Sequence, residues 1–285
     1  MKKLSCITLF LLAIMLLVRF HSVAQNRAMT YNIRYATTND QENQWDNRKA
    51  ELCELLNYYR PGFIGLQESL PIQNEYIDEQ LPSYKYIGFG REGEGSNSES
   101  APIFYDSTLY QLLDQEVFWL SPTPSQISIG WDASYKRVAT IGIFRDLNSR
   151  DTLFVINTHF DHMGQIAREK SASLLLTKIQ ALKTESKSLI LMGDFNSLPS
   201  DTPIQILTQK LEDTYTSSLS KPYGPVGTFN GFDSQLIPSQ RIDYIFGKNL
   251  KVLSYRAVND KRSNGLCISD HLPVLIEWEQ SQKLK

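Results

Sequence analysis

The run Leu189-Ile190-Leu191-Met192-Gly193-Asp194-Phe195-Asn196 joins four consecutive apolar residues to a short polar turn. An apolar stretch this short, with no alternation, reads as a strand covered on both faces. Asp194 and Asn196 then stand just past its end, where an α/β sheet presents ligand-binding groups. Alone, an Asp-X-Asn turn is an ordinary loop cap. Its weight here comes from recurrence.

The same design appears along the rest of the chain. Asn32 closes the predicted strand Ala28 to Ile33, and Glu68 follows Phe63 to Leu66. His159 follows Leu153 to Asn157, in Asn157-Thr158-His159-Phe160-Asp161-His162. Asp243 lies in Arg241-Ile242-Asp243-Tyr244, and Asp270-His271 precede the predicted strand Pro273 to Trp278. Further strands are expected at 103–105, 110–119, 138–144 and 252–257. Helices are expected from Arg48 to Tyr59, from Gly164 to Thr184, and from Thr202-Pro203, with Thr202 as cap and Ile204, Leu207 and Leu211 as its apolar stripe. Consecutive strands without intervening helices imply an α/β protein with mixed sheets. Residues 91–100 and 121–132 read as long exposed loops of the kind that shape a site.

Residues 1–24 are expected to be a secretory signal peptide: Lys2 and Lys3, an apolar run from Ile7 to Val18, then the small residues Ser22, Val23 and Ala24. Cleavage near Ala24 leaves residues 25–285 as one domain in a secreted or periplasmic protein. Removing Lys2, Lys3 and Arg19 leaves 26 basic residues against 31 acidic ones, a net charge of −5 with His neutral. Strong non-specific nucleic-acid binders carry a basic footprint. This composition has none, which disfavours a nuclease without excluding one. Cys53 and Cys267 are the two cysteines left after cleavage, and a bridge and two separate buried thiols are both open readings.

Taken together, Thr30-Tyr31-Asn32, Leu66-Gln67-Glu68, Asn157-Thr158-His159, Gly193-Asp194-Phe195-Asn196, Arg241-Ile242-Asp243-Tyr244 and Ser269-Asp270-His271 resemble the endonuclease/exonuclease/phosphatase superfamily, the DNase I-like proteins. The resemblance implies a four-layer sandwich: two mixed β-sheets packed face to face and flanked by helices. It also implies a Mg²⁺- or Mn²⁺-dependent phosphoester hydrolase. Glu68 would be the direct carboxylate ligand, with Asn32 and Asp270 completing the metal site directly or through water. Asp194 would orient or deprotonate the attacking water, Asn196 would hold that water or a phosphate oxygen, and His271, paired with Asp243, would serve the phosphate. His159 matches the family's second His, with Glu99 as its partner, and Arg137 matches a phosphate-contacting Arg. Asn97 stands where DNase I-like members carry a Tyr, which weakens a DNase I-like groove.

The expected partner is a phosphoester substrate and the expected state a monomer. A phosphodiesterase or phosphatase is the leading reading. A DNA or RNA endonuclease, a sphingomyelinase-like phospholipid phosphodiesterase and an inactive binding protein on the same scaffold are the alternatives. Arg34 reads equally as a second phosphate clamp or as a surface Arg paired to a loop carboxylate. Trp45 and Trp131 read as loop pins ahead of stacking platforms, and His162 as helix-start structure. Phe229, Phe232, Leu236 and Ile237 are candidates for an apolar membrane loop, with core packing expected for most.

Overall fold

Strand Ser188–Asp194 (β8) is buried at every position, as its unbroken apolar run requires. Ile190 and Met192 face one hydrophobic cluster and Leu189 and Leu191 another, because successive side chains leave a strand on opposite faces. This strand therefore needs two covers, and the whole architecture supplies them. The structure, a computed structural model, describes residues 26–280 apart from Glu185. The signal-peptide expectation for residues 1–24 lies outside the described residues.

Two six-stranded sheets are present. The first contains Asn26–Asn32 (β1), Phe63–Gln67 (β2), Tyr84–Ile87 (β3), Ile103–Asp106 (β4), Leu250–Ala257 (β11) and Val274–Gln280 (β12), in the order β11-β12-β1-β2-β4-β3. The second contains Tyr110–Trp119 (β5), Val138–Asp146 (β6), Thr152–His159 (β7), β8, Glu212–Asp213 (β9) and Asp243–Lys248 (β10), in the order β5-β6-β7-β8-β10-β9. Each sheet has one parallel pair, β1 with β2 and β7 with β8, among antiparallel neighbours. The sheets are therefore mixed, as expected.

Helices Lys49–Tyr59 (α1) and Pro71–Gln80 (α2) cover the first sheet, through Leu52, Leu56 and Ile77 against Met29, Ile64 and Phe104. Helices Gln165–Ala181 (α3) and Thr202–Thr208 (α4) cover the second, through Leu175, Ile179, Ile204 and Leu207. Between the sheets, Ala28, Phe63 and Ile276 meet Val155, Ile190, Met192 and Ile245 in a shared core. The layers run helix, sheet, sheet, helix, which is the predicted sandwich.

The chemistry of this central layer changes along the strands. The inward-facing positions, two residues apart, begin as hydrocarbon and become polar toward one edge. Above Phe63 and Val155 sits a clasp: Gln67 Nε2 donates to Asn157 Oδ1 at 2.7 Å and to Thr30 Oγ1 at 3.0 Å. Asn157 Nδ2 donates in turn to the carbonyls of Leu66 and Pro102, at 2.7 and 2.8 Å. Gly65 leaves the room, since a Cβ there would lie 2.7 Å from Asn157 Oδ1. Two residues further along their strands come Asn32, His159 and Asp194, with Asp243 entering from the antiparallel β10.

Several local expectations are adjusted. Helix α2 and strand β3 carried no strong sequence signal: the buried residues of α2 are Gln73, Asn74 and Ile77, a mostly polar set. Asp201, not Thr202, occupies the cap position of α4. Cys53 and Cys267 are free thiols, both buried. Trp45 is buried edge-on against Tyr76 and pins its loop.

Candidate active site

Asp194 stands at the centre of the polar edge. In the ladder it is flanked by His159 of the parallel β7 and Asp243 of the antiparallel β10. Gly193 makes this close approach possible: its φ is +156°, and a Cβ there would lie 2.1 Å from the Thr158 carbonyl oxygen. Asp194 Oδ2 accepts from Asn32 Nδ2 at 3.0 Å and lies 3.5 Å from His159 Nε2 and 3.8 Å from His271 Nε2. Its other oxygen accepts the Asn196 backbone N–H at 2.9 Å.

His271 Nδ1 donates to Asp243 Oδ2 at 2.8 Å, with both residues buried. Burial alone would strip the imidazole of its proton. Asp243 first, then Asp194, overcome this and hold the His271 pKa well above the usual histidine range. Burial and then the Asp243 charge raise the Asp194 carboxyl to about 7, against the pull of His271 and its hydrogen bonds. The site thus favours a protonated His271 beside an Asp194 carboxyl held above the usual carboxylate range.

His159 behaves in the opposite way. Burial, then the Arg137 charge, hold its pKa well below the usual range. Arg137 is itself buried, with Nη1 3.2 Å from His159 Nδ1, Nη2 3.3 Å from His162 Nδ1 and Nε 3.4 Å from Asp161 Oδ2. Asp161 also accepts backbone N–H groups from Ser134, Tyr135, Met163 and Gly164. These bonds outweigh its burial and lower its carboxyl to about 2. His159 does not pair with Glu99, the partner that the motif match predicts; its Nδ1 faces Arg137. Glu99 instead forms a two-pronged pair with Arg91, at 2.7 and 3.1 Å.

Glu68 receives Asn32 Nδ2 on one oxygen at 3.1 Å and the Tyr35 backbone N–H on the other at 3.3 Å. Asn32 Oδ1 accepts the Arg34 N–H, so the Asn32 amide nitrogen bridges Glu68 and Asp194. Arg34, Glu68 and Asn196 adopt the left-handed backbone region, with φ of +55°, +62° and +46°. Non-glycine residues held there concentrate at functional sites. Arg34 pairs with Asp40 through two bonds of 3.0 Å and reaches within 3.9 Å of Glu68. Arg48 is a structural clamp, fully buried and donating to the carbonyls of Ile33, Arg34, Asn43 and Ile268.

Glu68, His159, Asp194, Asn196, Asp270 and His271 line a cleft of about 580 Å³. Its outer wall is built by Arg91, Tyr135, Arg137 and His162. Sequence reading missed Arg91, Tyr135 and Asp161, whose roles depend on loops folding back. Two donor sets suit a divalent cation. Asp194, Asp243 and His271 bring ligand atoms within 4.8 Å of one another, but the bonded His271 Nδ1 and the protonated ring make a cation there compete with a proton. Glu68 and Asp270 offer carboxylate oxygens in the cleft. Burial first, and then the Glu68 charge, push the Asp270 carboxyl upward, and a bound hard cation would relieve that repulsion.

Residues 29–271 match the model of the endonuclease/exonuclease/phosphatase family. The chain belongs to that family. Members of the endonuclease/exonuclease/phosphatase family hydrolyse phosphoesters. An uncharacterised protein of Acanthamoeba polyphaga mimivirus is 30% identical over 253 residues, covering 83% of this chain and 92% of its own length. A family member from Bacteroides vulgatus superposes with a TM-score of 0.84 at 32% identity, over 90% of this chain and 99% of that one. A mannosyl-6-phosphatase of Bacteroides thetaiotaomicron superposes with a TM-score of 0.84 at 30% identity, over 89% of this chain and 99% of that one.

Proposed function

We propose that this chain is an exported, divalent-metal-dependent phosphoester hydrolase acting on a small phosphomonoester of a hydroxyl-rich molecule, with a phosphorylated sugar as the first candidate. The observation that carries the reading is the convergence of Asn32, His159 and His271 on one oxygen of Asp194 at the floor of the cleft. Export rests on the leader read in residues 1–24.

Asp194, titrating at about 7, takes the proton of the attacking water. His271, kept protonated by Asp243, donates from Nε2 to a phosphoryl oxygen. Asn196 and the His159 Nε2–H hold a second oxygen or the water. Glu68 and Asp270, with Asn32 orienting Glu68, would hold Mg²⁺ or Mn²⁺, which polarises the phosphoryl group and offsets developing charge when bound. Arg137 acts behind His159.

The substrate size follows from charge. Each arginine lining the cleft is paired, Arg34 with Asp40, Arg91 with Glu99 and Arg137 with Asp161. A polyanion gains little from such a wall, because its counterions are released only by free cations. The likeness to the mannosyl-6-phosphatase supports the same choice. One feature favours a second reading, a phospholipid diester: Leu236 and Ile237 are 48% and 77% exposed, not packed in the core as expected, on the loop that follows the cleft residue Phe229.

A panel of mannose 6-phosphate, bis-p-nitrophenyl phosphate, DNA and RNA oligonucleotides and sphingomyelin vesicles, each with Mg²⁺, Mn²⁺ or EDTA, tests the proposal. Turnover of the monoester is expected, stopped by EDTA. Asp194→Ala and His271→Ala should each lower kcat by roughly 10²–10³-fold or more. No turnover of any member with metal present would overturn the enzyme reading, and turnover confined to the vesicles would favour the second.

A further inference from the structure

Arg137 holds two histidines at once, and its chemistry dictates their tautomers. A guanidinium has five N–H donors and no acceptor. Its Nη1 and Nη2 lie 3.2 and 3.3 Å from Nδ1 of His159 and His162. Both Nδ1 atoms must therefore present lone pairs, which leaves each neutral ring its proton on Nε2. On the other side of the His159 ring, Nε2 faces Asn196 Nδ2 at 3.1 Å and Asp194 Oδ2 at 3.5 Å. Asn196 Nδ2 also donates to the Phe160 carbonyl at 3.1 Å, and its amide can turn, whereas the buried guanidinium has donors only, so the Arg137 contact sets the tautomer.

His162 has no helix-start role of the kind the sequence implied. Its ring lies nearly parallel to Tyr135, with interplanar angle 20° and centroids 5.8 Å apart, and it lines the catalytic cleft. Tyr135 in turn lies under the Arg91 guanidinium, 4.8 Å from its centroid, and Arg91 is locked to Glu99. The exposed His162 ring thus has the Tyr135 ring beside its face and the buried Arg137 at its edge.

Resting on the hydrolase reading above, we infer that His162 is a substrate-binding residue whose Nε2–H donates to an oxygen of the alcohol portion of the phosphoester, and that Arg137 is the positioning residue that sets this donor and the His159 donor together. The reacting phosphoryl group belongs to the Asp194, His159 and His271 cluster. His162, one Arg137 nitrogen further out, is left for a hydroxyl or ring oxygen beyond it. A Tyr ring beside such a donor suits a sugar better than a hydrocarbon chain, since stacking and hydrogen bonding then serve the same group.

Long-range ¹H–¹⁵N correlation spectra of the ¹⁵N-histidine-labelled protein test the tautomers without turnover. Both rings should show unprotonated Nδ1 and protonated Nε2, and titration with mannose 6-phosphate should shift the His162 Nε2 signal more than inorganic phosphate does. An Nδ1–H tautomer at either ring would overturn the assignment, as would equal shifts with both ligands. His162→Phe keeps the ring beside Tyr135 and removes the donor. Its KM for mannose 6-phosphate should rise roughly three- to tenfold, the worth of one neutral hydrogen bond, with the inhibition constant of inorganic phosphate unchanged. Arg137→Met removes the donors and should convert part of the His159 signal to the other tautomer. A wild-type protein with the expected tautomers but no phosphoester turnover would sink the hydrolase reading alone. Turnover with the wrong tautomers would sink this inference alone.

Discussion

Replacing Asp243 by Asn keeps the shape of the side chain that holds His271 and removes its charge. The bond it alters is short, 2.8 Å, and lies between residues that are 0% and 5% exposed, so solvent does not mask the change. A hydrogen bond to a charged group contributes about 1.5–3 kcal/mol, against about 0.5–1.5 kcal/mol for a neutral one. If the imidazolium stabilises the transition state, losing its counter-charge should cost the full charged bond, about 1.5–3 kcal/mol. That corresponds to a roughly 10- to 150-fold fall in kcat/KM. The same change removes the charge that, after burial, most raises Asp194. The Asp194 pKa should fall below about 7 and the acid limb of the pH–rate profile should move to lower pH. The His271 pKa should also fall, moving the basic limb inward. Stability should change little, because a buried repulsion between Asp194 and Asp243 is relieved as the His271 pair is weakened. The assay is kcat/KM from pH 5 to 10 on the substrate found in the panel, beside a urea melt. Rates within threefold of the parent and unmoved limbs would refute the dyad as a working unit.

Gly193→Ala should lower stability by more than about 3 kcal/mol, since its Cβ would collide with the Thr158 carbonyl at a φ that L residues rarely adopt; a urea midpoint measures this, and a mild effect would mean that β7 and β8 can part. Asp161→Asn should cost about 2–4 kcal/mol at pH 7 by weakening the bonds to four backbone N–H groups and Arg137. The sign with pH is fixed: a carboxyl lowered in the fold from 3.8 to about 2 stabilises above its unfolded pKa and loses that contribution as pH falls toward 2. The gap between parent and variant in denaturant midpoint should therefore narrow across that window, and a gap independent of pH would exclude the charge as its source.

The fold was legible where burial dictated composition. Leu189 to Met192 and Phe63 to Leu66 lie between two covers, so each had to be apolar throughout, and each is a strand. The site residues were legible for a related reason: they continue the inward-facing series of strands already located, so Asn32, Asp194 and Asp243 sit where alternation puts them. Helix α2 was not legible, because Gln73 is buried to hydrogen-bond the Ala36 and Leu70 N–H groups and the Arg34 carbonyl, a use of a polar side chain that periodicity does not register. Glu99 was misassigned for the same kind of reason. Its partner depends on where the loop carrying Arg91 folds back, and spacing in sequence carries no such information. His162 looked idle because its significance lies in a guanidinium 25 residues away.

The Gln67–Asn157–Thr30 clasp gives the two sheets a fixed gauge. Hydrocarbon faces tolerate sliding, because many side-chain packings have similar energy; a buried amide network has few satisfactory arrangements. The first sheet supplies Asn32 and Glu68, the second His159, Asp194 and Asp243, and the distances between these sets are distances between sheets. A conservative change at Gln67 or Asn157, which line no part of the cleft, would alter the spacing of the phosphoryl site before it unfolds the chain. Catalysis in this molecule would then register small slips in its interior sooner than any melting curve.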